Sequence, residues 1–145
     1  MKPVSSSRSR ARVSVRYEVP LTSPAWELSD EPMPESQPHD IVLDLLKAIL
    51  LAFVARTGLA AQVARNLALR WDPEHPKVGI DPDLSLLVPR TPEGDELASL
   101  CTWLPGHAPP RVCVEVVSAS NPRKDYETTP ERCAAAGVTE LWIFD

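Results

Sequence analysis

Residues 112–126 read VCVEVVSASNPRKDY, and the rest of the chain can be interpreted outward from this segment. Its first part, 112–117, is apolar except for Glu115, which is typical of a strand buried on both faces. A lone carboxylate is costly to bury in such a strand unless a cation or strong hydrogen-bond donors compensate it. The segment therefore predicts a central strand with one acid that either binds a cation or pairs with an interior arginine.

A second acid, Asp83, follows Pro82 and enters another apolar strand, predicted over residues 84–88. Two carboxylates on adjacent strands that point to the same side can hold one hard divalent cation. A cation bound there lowers the pKa of a water molecule and polarises a phosphoryl group. The alternative for Asp83 is a turn residue at the strand entrance, beside Asp81, and both explanations stay open at this point.

Residues 39–57 have the periodicity of a helix, which Gly58 ends and which begins near Ser36 and Pro38. Apolar residues recur there every three or four positions, at Val42, Leu45, Leu46, Ile49 and Phe53. Further apolar residues widen this face, at Leu43, Leu50 and Val54. We therefore predict a helix that is covered on more than one side.

The other elements follow from similar patterns. The predicted strands are residues 61–71, 84–88, 112–117 and 141–144. Between the second and third strands lies a long connection, and a short helix is predicted from Thr129, its N-cap, to the residue before Gly137. The order helix, three strands, helix, strand predicts an α/β domain.

The last third of the chain closely resembles the restriction endonuclease family that carries the Uma name, a branch of the PD-(D/E)XK nuclease superfamily. The matching features are the strand glutamate with Val-Val-Ser (115–118), the Asn-Pro-x-x-Asp turn (121–125) and the Ala-Ala-Gly-Val…Leu-Trp-x-x-Asp ending (135–145). Upstream, Pro82-Asp83 is similar to the Pro-Asp half-motif of the superfamily. Pro34-Glu35-Ser36 and His39 are similar to the acid and the histidine that precede the first helix in the family.

This resemblance covers residues 24–145 and implies a restriction-endonuclease-like αβββαβ core, with a central mixed sheet flanked by helices. It implies that Asp83 and Glu115 are metal ligands, with the Val116 carbonyl as a third and Glu35 as an accessory acid. The implied reaction is hydrolysis of a DNA phosphodiester bond with Mg²⁺ or Mn²⁺. Family members usually continue beyond this point, so we expect a chain truncated after the last core strand, or a partner that covers the sheet edge.

The chain departs from the family at the catalytic lysine. The two usual places, two residues after the glutamate and four after the turn aspartate, hold Val117 and Thr129. Lys124 is the nearest cation, and we take it as the catalytic candidate, with a solvated turn lysine as the alternative. Two other functions therefore stay open, a catalytically inactive nuclease-fold binding or regulatory module and a plain α/β interaction domain.

Charge and composition bound the remaining properties. Residues 1–16 carry a charge of +5 and the other 129 residues carry −10, so we predict a basic, disordered arm over 1–23 and one domain over 24–145. The acidic domain argues against tight, non-specific binding of DNA. The longest apolar run, 48–55, is too short for a membrane span. Three widely spaced cysteines favour a reducing cytoplasm. A homodimer is common among such enzymes, but no residue identifies an interface.

Overall fold

The computed structural model describes residues 18–31, 36–90 and 97–145 and shows an α/β architecture. The helices and strands are α1 (Gln37–Thr57), β1 (Gln62–Arg65), β2 (Ala68–Arg70), β3 (Leu84–Leu87), β4 (Ser99–Cys101), β5 (Val112–Val116), α2 (Thr129–Ala136) and β6 (Glu140–Phe144). A 3-10 turn covers Pro24–Trp26, and a π-helical turn, Lys124–Thr128, leads into α2. Residues 1–17 of the predicted arm lie outside the described residues.

Strands β1, β3, β5 and β6 form one four-stranded mixed sheet in that order. The pairs β1–β3 and β3–β5 are antiparallel, whereas β5 and β6 are parallel. The interior position of β5 explains its nearly continuous apolar sequence, because its residues from Val112 to Glu115 are all buried. With β2 and β4 set aside, α1, β1, β3, β5, α2 and β6 follow the predicted αβββαβ order.

The two helices cover opposite faces of this sheet. Leu43 and Leu50 of α1 pack on the face formed by Leu84, Leu86 and other residues of β3 and β5. The opposite face packs against α2 through a cluster that includes Cys113, Cys133 and Ala136. Within the described part of the chain, neither helix has the length and apolarity that a membrane span requires.

The predicted strand over residues 61–71 is in fact two strands, because the chain turns at Asn66. This residue has a φ of 49°, in the left-handed region that asparagine tolerates better than most residues. Strand β1 therefore pairs in the four-stranded sheet, and β2 pairs in parallel with β4 in a second, two-stranded sheet. Strand β4 gives no recognisable signal in the sequence, since three residues are too few to show a period.

The prediction that α1 is covered on more than one side is wrong within the described residues. Leu43 and Leu50 are buried on the sheet, but large apolar residues on the opposite side of α1 are exposed, among them Ile41, Leu45 and Ile49. A start near Ser36 is confirmed, since α1 begins at Gln37. The Ser36 side chain makes no capping hydrogen bond, and Gly58 ends the helix in the left-handed conformation.

Gly79 lies in the segment that leads to Pro82-Asp83, and any side chain at this position would clash with its neighbours. A Cβ atom at Gly79 would lie 2.7 Å from the Leu69 carbonyl oxygen and 2.9 Å from Leu28 Cδ1. Because the first of these is backbone, we expect Gly79→Ala to lower the free energy of unfolding by about 2–3 kcal/mol. Gly58→Ala is the control, with open space around its Cβ and a cost of about 1 kcal/mol from its φ of 65°. Denaturant unfolding checks this, and equal losses for both variants would contradict it.

Candidate active site

Two acids from neighbouring strands meet at one end of the four-stranded sheet. Leu84 of β3 is opposite Val114 of β5, so the next pair along this antiparallel register is Asp83 and Glu115. Glu115 is only 3% exposed, and Asp83 is also buried. Burial, and after it the charge of Asp83, raises the pKa of Glu115 from 4.5 to about 9. Burial and the neighbouring carboxylate therefore both disfavour the charged form of Glu115.

His39, in the first turn of α1, contacts Asp83 and the backbone directly after Glu115. Its Nε2 atom lies 3.1 Å from the Val116 carbonyl oxygen and 3.4 Å from Asp83 Oδ2. The resemblance singled out this histidine, but its spacing in the sequence did not show what it contacts. Position 39 thus links α1 to both the carboxylate and the carbonyl that the sequence analysis proposed as ligands.

The backbone directly after Glu115 is held by three different acceptors. The Val116 N–H donates to Asp83 Oδ2 at 2.7 Å, and the Val117 N–H donates to the Phe144 carbonyl at 2.7 Å. The Ser118 N–H donates to Asp125 Oδ2 at 3.0 Å. Two carboxylates and one strand carbonyl therefore fix this end of β5, and with it the position of Glu115.

Asp125 is a residue whose function the sequence analysis left undefined. It lies on the π-helical turn, is fully buried, and its charge also raises the pKa of Glu115. The only signal for it in the sequence was its place in the Asn-Pro-x-x-Asp turn. Its burial shows that this turn folds back onto the end of β5 instead of extending into solvent.

Lys124 begins the same π-helical turn and is half-buried. Its charge lowers the pKa of Glu115, against the larger effects of burial and of Asp83. Arg132 of α2 also interacts electrostatically with Glu115, but its guanidinium donates to the carbonyls of Gly79 and Ala25 at 3.4 and 2.9 Å. The arginine that the alternative explanation required is therefore bound to backbone carbonyls.

Comparison with known proteins places this geometry in a family. The family model of Uma2, described as "Putative restriction endonuclease", matches residues 17–145. The chain belongs to the Uma2 family. Among the curated proteins none matches. The solved structures include a putative nuclease belonging to DUF820 from Anabaena variabilis ATCC 29413, with a TM-score of 0.52 and 15% identity. The match covers 77% of this chain and 58% of that one, and the likeness shows a shared fold.

The Uma2 match confirms the family resemblance, and together with the structural likeness it confirms the restriction-endonuclease-like fold. Two predictions about single residues, Thr129 and Glu35, are not confirmed. Thr129 is not an N-cap, because it has helical backbone angles, follows the π-helical turn and is buried. Glu35, the predicted accessory acid, lies outside the described residues.

The oxygen atoms at the site formed by Asp83, Glu115 and the Val116 carbonyl are of the kind that binds a hard divalent cation. Asp83 and Glu115 carry carboxylate oxygens, the Val116 carbonyl follows Glu115 directly on β5, and burial, with the charge of Asp83, raises the pKa of Glu115. Within residues 18–31, 36–90 and 97–145, no group of three or more His, Cys, Asp or Glu side chains could hold a metal ion. The oxygen donors available there are thus two acids and a backbone carbonyl.

Substitutions of Asp125 test whether its hydrogen bond to Ser118 positions Glu115 for metal binding. Asp125→Ala removes the acceptor of the Ser118 N–H, so we expect the affinity for Mn²⁺ to fall about 10-fold, as for other residues that orient ligands. Asp125→Asn keeps an oxygen acceptor at the same place, so its affinity should stay within about threefold of wild type. Calorimetric titration measures both. Equal weakening in the two variants would mean that the charge matters and the hydrogen bond does not.

Proposed function

We propose that this Uma2 protein is a metal-dependent DNA endonuclease that hydrolyses phosphodiester bonds. The observation that carries the proposal is the convergence of Asp83 and Glu115, from adjacent strands, in a buried site. Both residues stand at the positions that the family resemblance assigns to metal ligands. The family description supports nuclease chemistry, and the ion and the substrate are our inference.

In this proposal Asp83, Glu115 and the Val116 carbonyl hold Mg²⁺ or Mn²⁺. When bound, such a cation activates water and stabilises negative charge on the phosphate. One Asp83 oxygen already accepts the Val116 N–H, which fixes the carboxylate beside the carbonyl of the same residue. His39 contacts both groups and keeps them aligned. Glu35 remains a proposed accessory acid of this site.

Lys124 is the proposed substitute for the missing family lysine. Residues 117 and 129, where the family places that lysine, are Val and Thr, and Thr129 is buried. Lys124 is already close enough for its charge to act on Glu115. Its long, flexible side chain would place an ammonium group against the non-bridging phosphate oxygens. The charge that the reaction needs would then come from the π-helical turn.

The second candidate function is a nuclease-fold module that binds without cutting. The missing lysine and the net charge of −5 favour it. In this case Asp83 and Glu115 would still bind a divalent cation, and the domain would serve as a binding or regulatory unit. Loss of turnover with retained metal binding is therefore the expected signature of this alternative.

The decisive experiment combines cleavage with metal binding. Supercoiled plasmid is incubated with the purified protein and Mg²⁺ or Mn²⁺, with EDTA in parallel, while calorimetry measures the affinity for each ion. We expect nicking with either metal and none with EDTA. Metal binding without nicking supports the inactive module. Absence of both would leave Glu115 as a structural acid and would contradict the two proposals.

The proposed role of Lys124 leads to a graded prediction. Lys124→Ala should lower the Mn²⁺-dependent cleavage rate about 10- to 100-fold, because the ammonium charge near the phosphate is lost. Lys124→Arg keeps the charge and should retain most of the activity. The control is Arg123→Ala, one position earlier, where the side chain is exposed and pairs with Glu127 at 3.0 Å. A loss in Arg123→Ala as large as in Lys124→Ala would instead indicate general attraction of DNA.

We infer the cellular setting and the partners from the cysteines and the charge distribution. All three cysteines are free thiols, which supports a reducing cytoplasm. The partner in this proposal is DNA, and the +5 charge of residues 1–16 is opposite in sign to that of the phosphate backbone. A homodimer is part of the proposal, because two sites are needed to cut both strands of a duplex in one encounter.

A further inference from the structure

The face of α1 that points away from the sheet is apolar and open to solvent. We call its five large residues, Ile41, Val42, Leu45, Ile49 and Phe53, the outer stripe. Each of them has between 38% and 63% of its surface exposed. An isolated exposed leucine needs no explanation, but five apolar side chains in one continuous row are typical of an interaction surface.

The spacing of the outer stripe matches that of a helix that packs against another helix. Val42, Leu45, Ile49 and Ala52 follow one another at intervals of three, four and three residues, as a and d positions do in a coiled coil. Exposed Ala48 and Ala52 beside the large residues allow a second helix to approach closely. The outer stripe therefore fits the face of a helix better than an extended chain.

The outer stripe carries no charge along its length. The ionisable residues of α1 between residues 41 and 55 are Asp44 and Lys47. Asp44 pairs with Arg65 at 3.0 Å, and Lys47 is half-buried on the side toward the sheet. An uncharged surface excludes nucleic acid as its occupant, so it is distinct from any DNA-binding surface.

We propose that the outer stripe binds the same stripe of a second copy, with the two α1 helices antiparallel. The pattern is self-complementary about residue 47, as a two-fold interface requires. Leu45 then lies opposite the partner's Ile49, and Ile41 and Phe53 line the two flanks of the contact. Val42 lies opposite the small side chain of the partner's Ala52, which leaves room for close packing.

The helix dipoles favour the antiparallel orientation, because antiparallel neighbours place opposite dipole ends together. The acids Asp40 and Asp44 take no part in this contact, since both pair with Arg65 of the same chain. Parallel pairing would place like dipole ends together.

The size of the surface sets the expected strength. Together the five side chains expose the equivalent of about two and a half whole side chains, on the order of 400 Å² of apolar surface per copy. Stable interfaces bury about 600–800 Å² per partner. The outer stripe is smaller than this, so we expect a weak, concentration-dependent dimer with a dissociation constant in the micromolar range.

The α1 interface rests on the homodimer of the proposed function and says which surface forms it. It is tested by measuring association of the protein, and not by measuring cleavage of DNA. His39 lies in the first turn of α1, beside Asp83. In the antiparallel pair the two copies of residue 39 are separated by about 24 Å along the helix axis. The two candidate sites thus lie at opposite ends of the helix pair, so failure of cleavage would leave the dimer intact and the reverse also holds.

Sedimentation velocity of the full chain from about 1 to 300 µM tests the association. We expect a shift from monomer to dimer across this range, and at least a 10-fold weaker association in Leu45→Glu and Ile49→Glu. Leu51→Glu is the matched control, since Leu51 is a similarly exposed leucine of α1 outside the outer stripe. A protein that stays monomeric over the whole concentration range would overturn the proposal. That result is expected if another segment of the same chain covers the outer stripe. Equal weakening by all three variants would also overturn the proposal.

Disulfide cross-linking tests the orientation. In a Cys101→Ser background, Leu45→Cys and Ile49→Cys are made as separate variants and oxidised alone and mixed. Antiparallel pairing predicts a cross-linked dimer from the mixture and little from either variant alone. Cross-linking of Leu45→Cys with itself would show a parallel pair and overturn the proposed arrangement.

Discussion

We expect plasmid cleavage with Mn²⁺ to fall at least 100-fold in Glu115→Gln and in Asp83→Asn. Each change replaces a carboxylate by a neutral amide of nearly the same shape, so the site keeps its packing and loses one anionic ligand. Effects of this size are usual when a group that stabilises charge at a reacting centre is removed. The affinity for Mn²⁺ is expected to fall in parallel, because the same oxygens hold the cation.

Exposed acids near the site provide the controls for this prediction. Glu140→Gln changes an exposed acid on β6, and Asp81→Asn changes an exposed acid two positions before Asp83. Both should cleave within about twofold of wild type. The measurement is the initial rate of nicking, with calorimetry on the same preparations. Cleavage by Glu115→Gln at the wild-type rate would show that the activity comes from elsewhere.

In EDTA, Glu115→Gln is expected to be more stable than wild type, by an amount that grows with pH. The pKa of Glu115 is raised from 4.5 to about 9 by burial and by Asp83, so the folded state retains a proton that the unfolded state releases. The free energy of unfolding of wild type therefore falls as the pH rises between these values. Glutamine does not titrate, so the variant avoids a loss on the order of 2–4 kcal/mol between about pH 5.5 and 8.5.

Denaturant unfolding at these two pH values measures the difference between the proteins. The gain of Glu115→Gln over wild type should be small at the lower pH and large at the higher one. Adding Mn²⁺ at the higher pH should stabilise wild type and leave the variant unchanged, since binding to the folded state alone raises stability. Glu140→Gln should follow wild type at both pH values. A pH-independent gain would mean that Glu115 is ionised in the folded protein.

The central pair of acids could be predicted from the sequence because its signal is local. Glu115 interrupts a short apolar run whose residues are mostly β-branched valines, which favours a buried strand. Asp83 opens a second apolar strand after a proline, so its placement beside Glu115 needs only that the two strands be neighbours. The start of α1 and its end at Gly58 were equally local, since they depend on single residues.

The features that were missed depend on contacts between distant segments. The turn at Asn66 sends β1 and β2 into different sheets, although residues 61–71 alternate as one strand would. Asp125 is buried by a π-helical turn, which has no sequence signature of its own. The open face of α1 looked the same as a covered face, because periodicity shows which residues are apolar and not what covers them.

The three amides that follow Glu115 give the site its own set of spectroscopic reporters. The amide protons of Val116 and Ser118 are bound to the carboxylates of Asp83 and Asp125, whereas that of Val117 is bound to a backbone carbonyl. Amide chemical shifts respond to the charge of the hydrogen-bond acceptor. The shifts of Val116 and Ser118 should therefore change when a cation neutralises Asp83 or the adjacent Glu115. Val117 serves as an internal reference in the same stretch of chain. Occupancy of the site can thus be followed in solution, without substrate and without turnover.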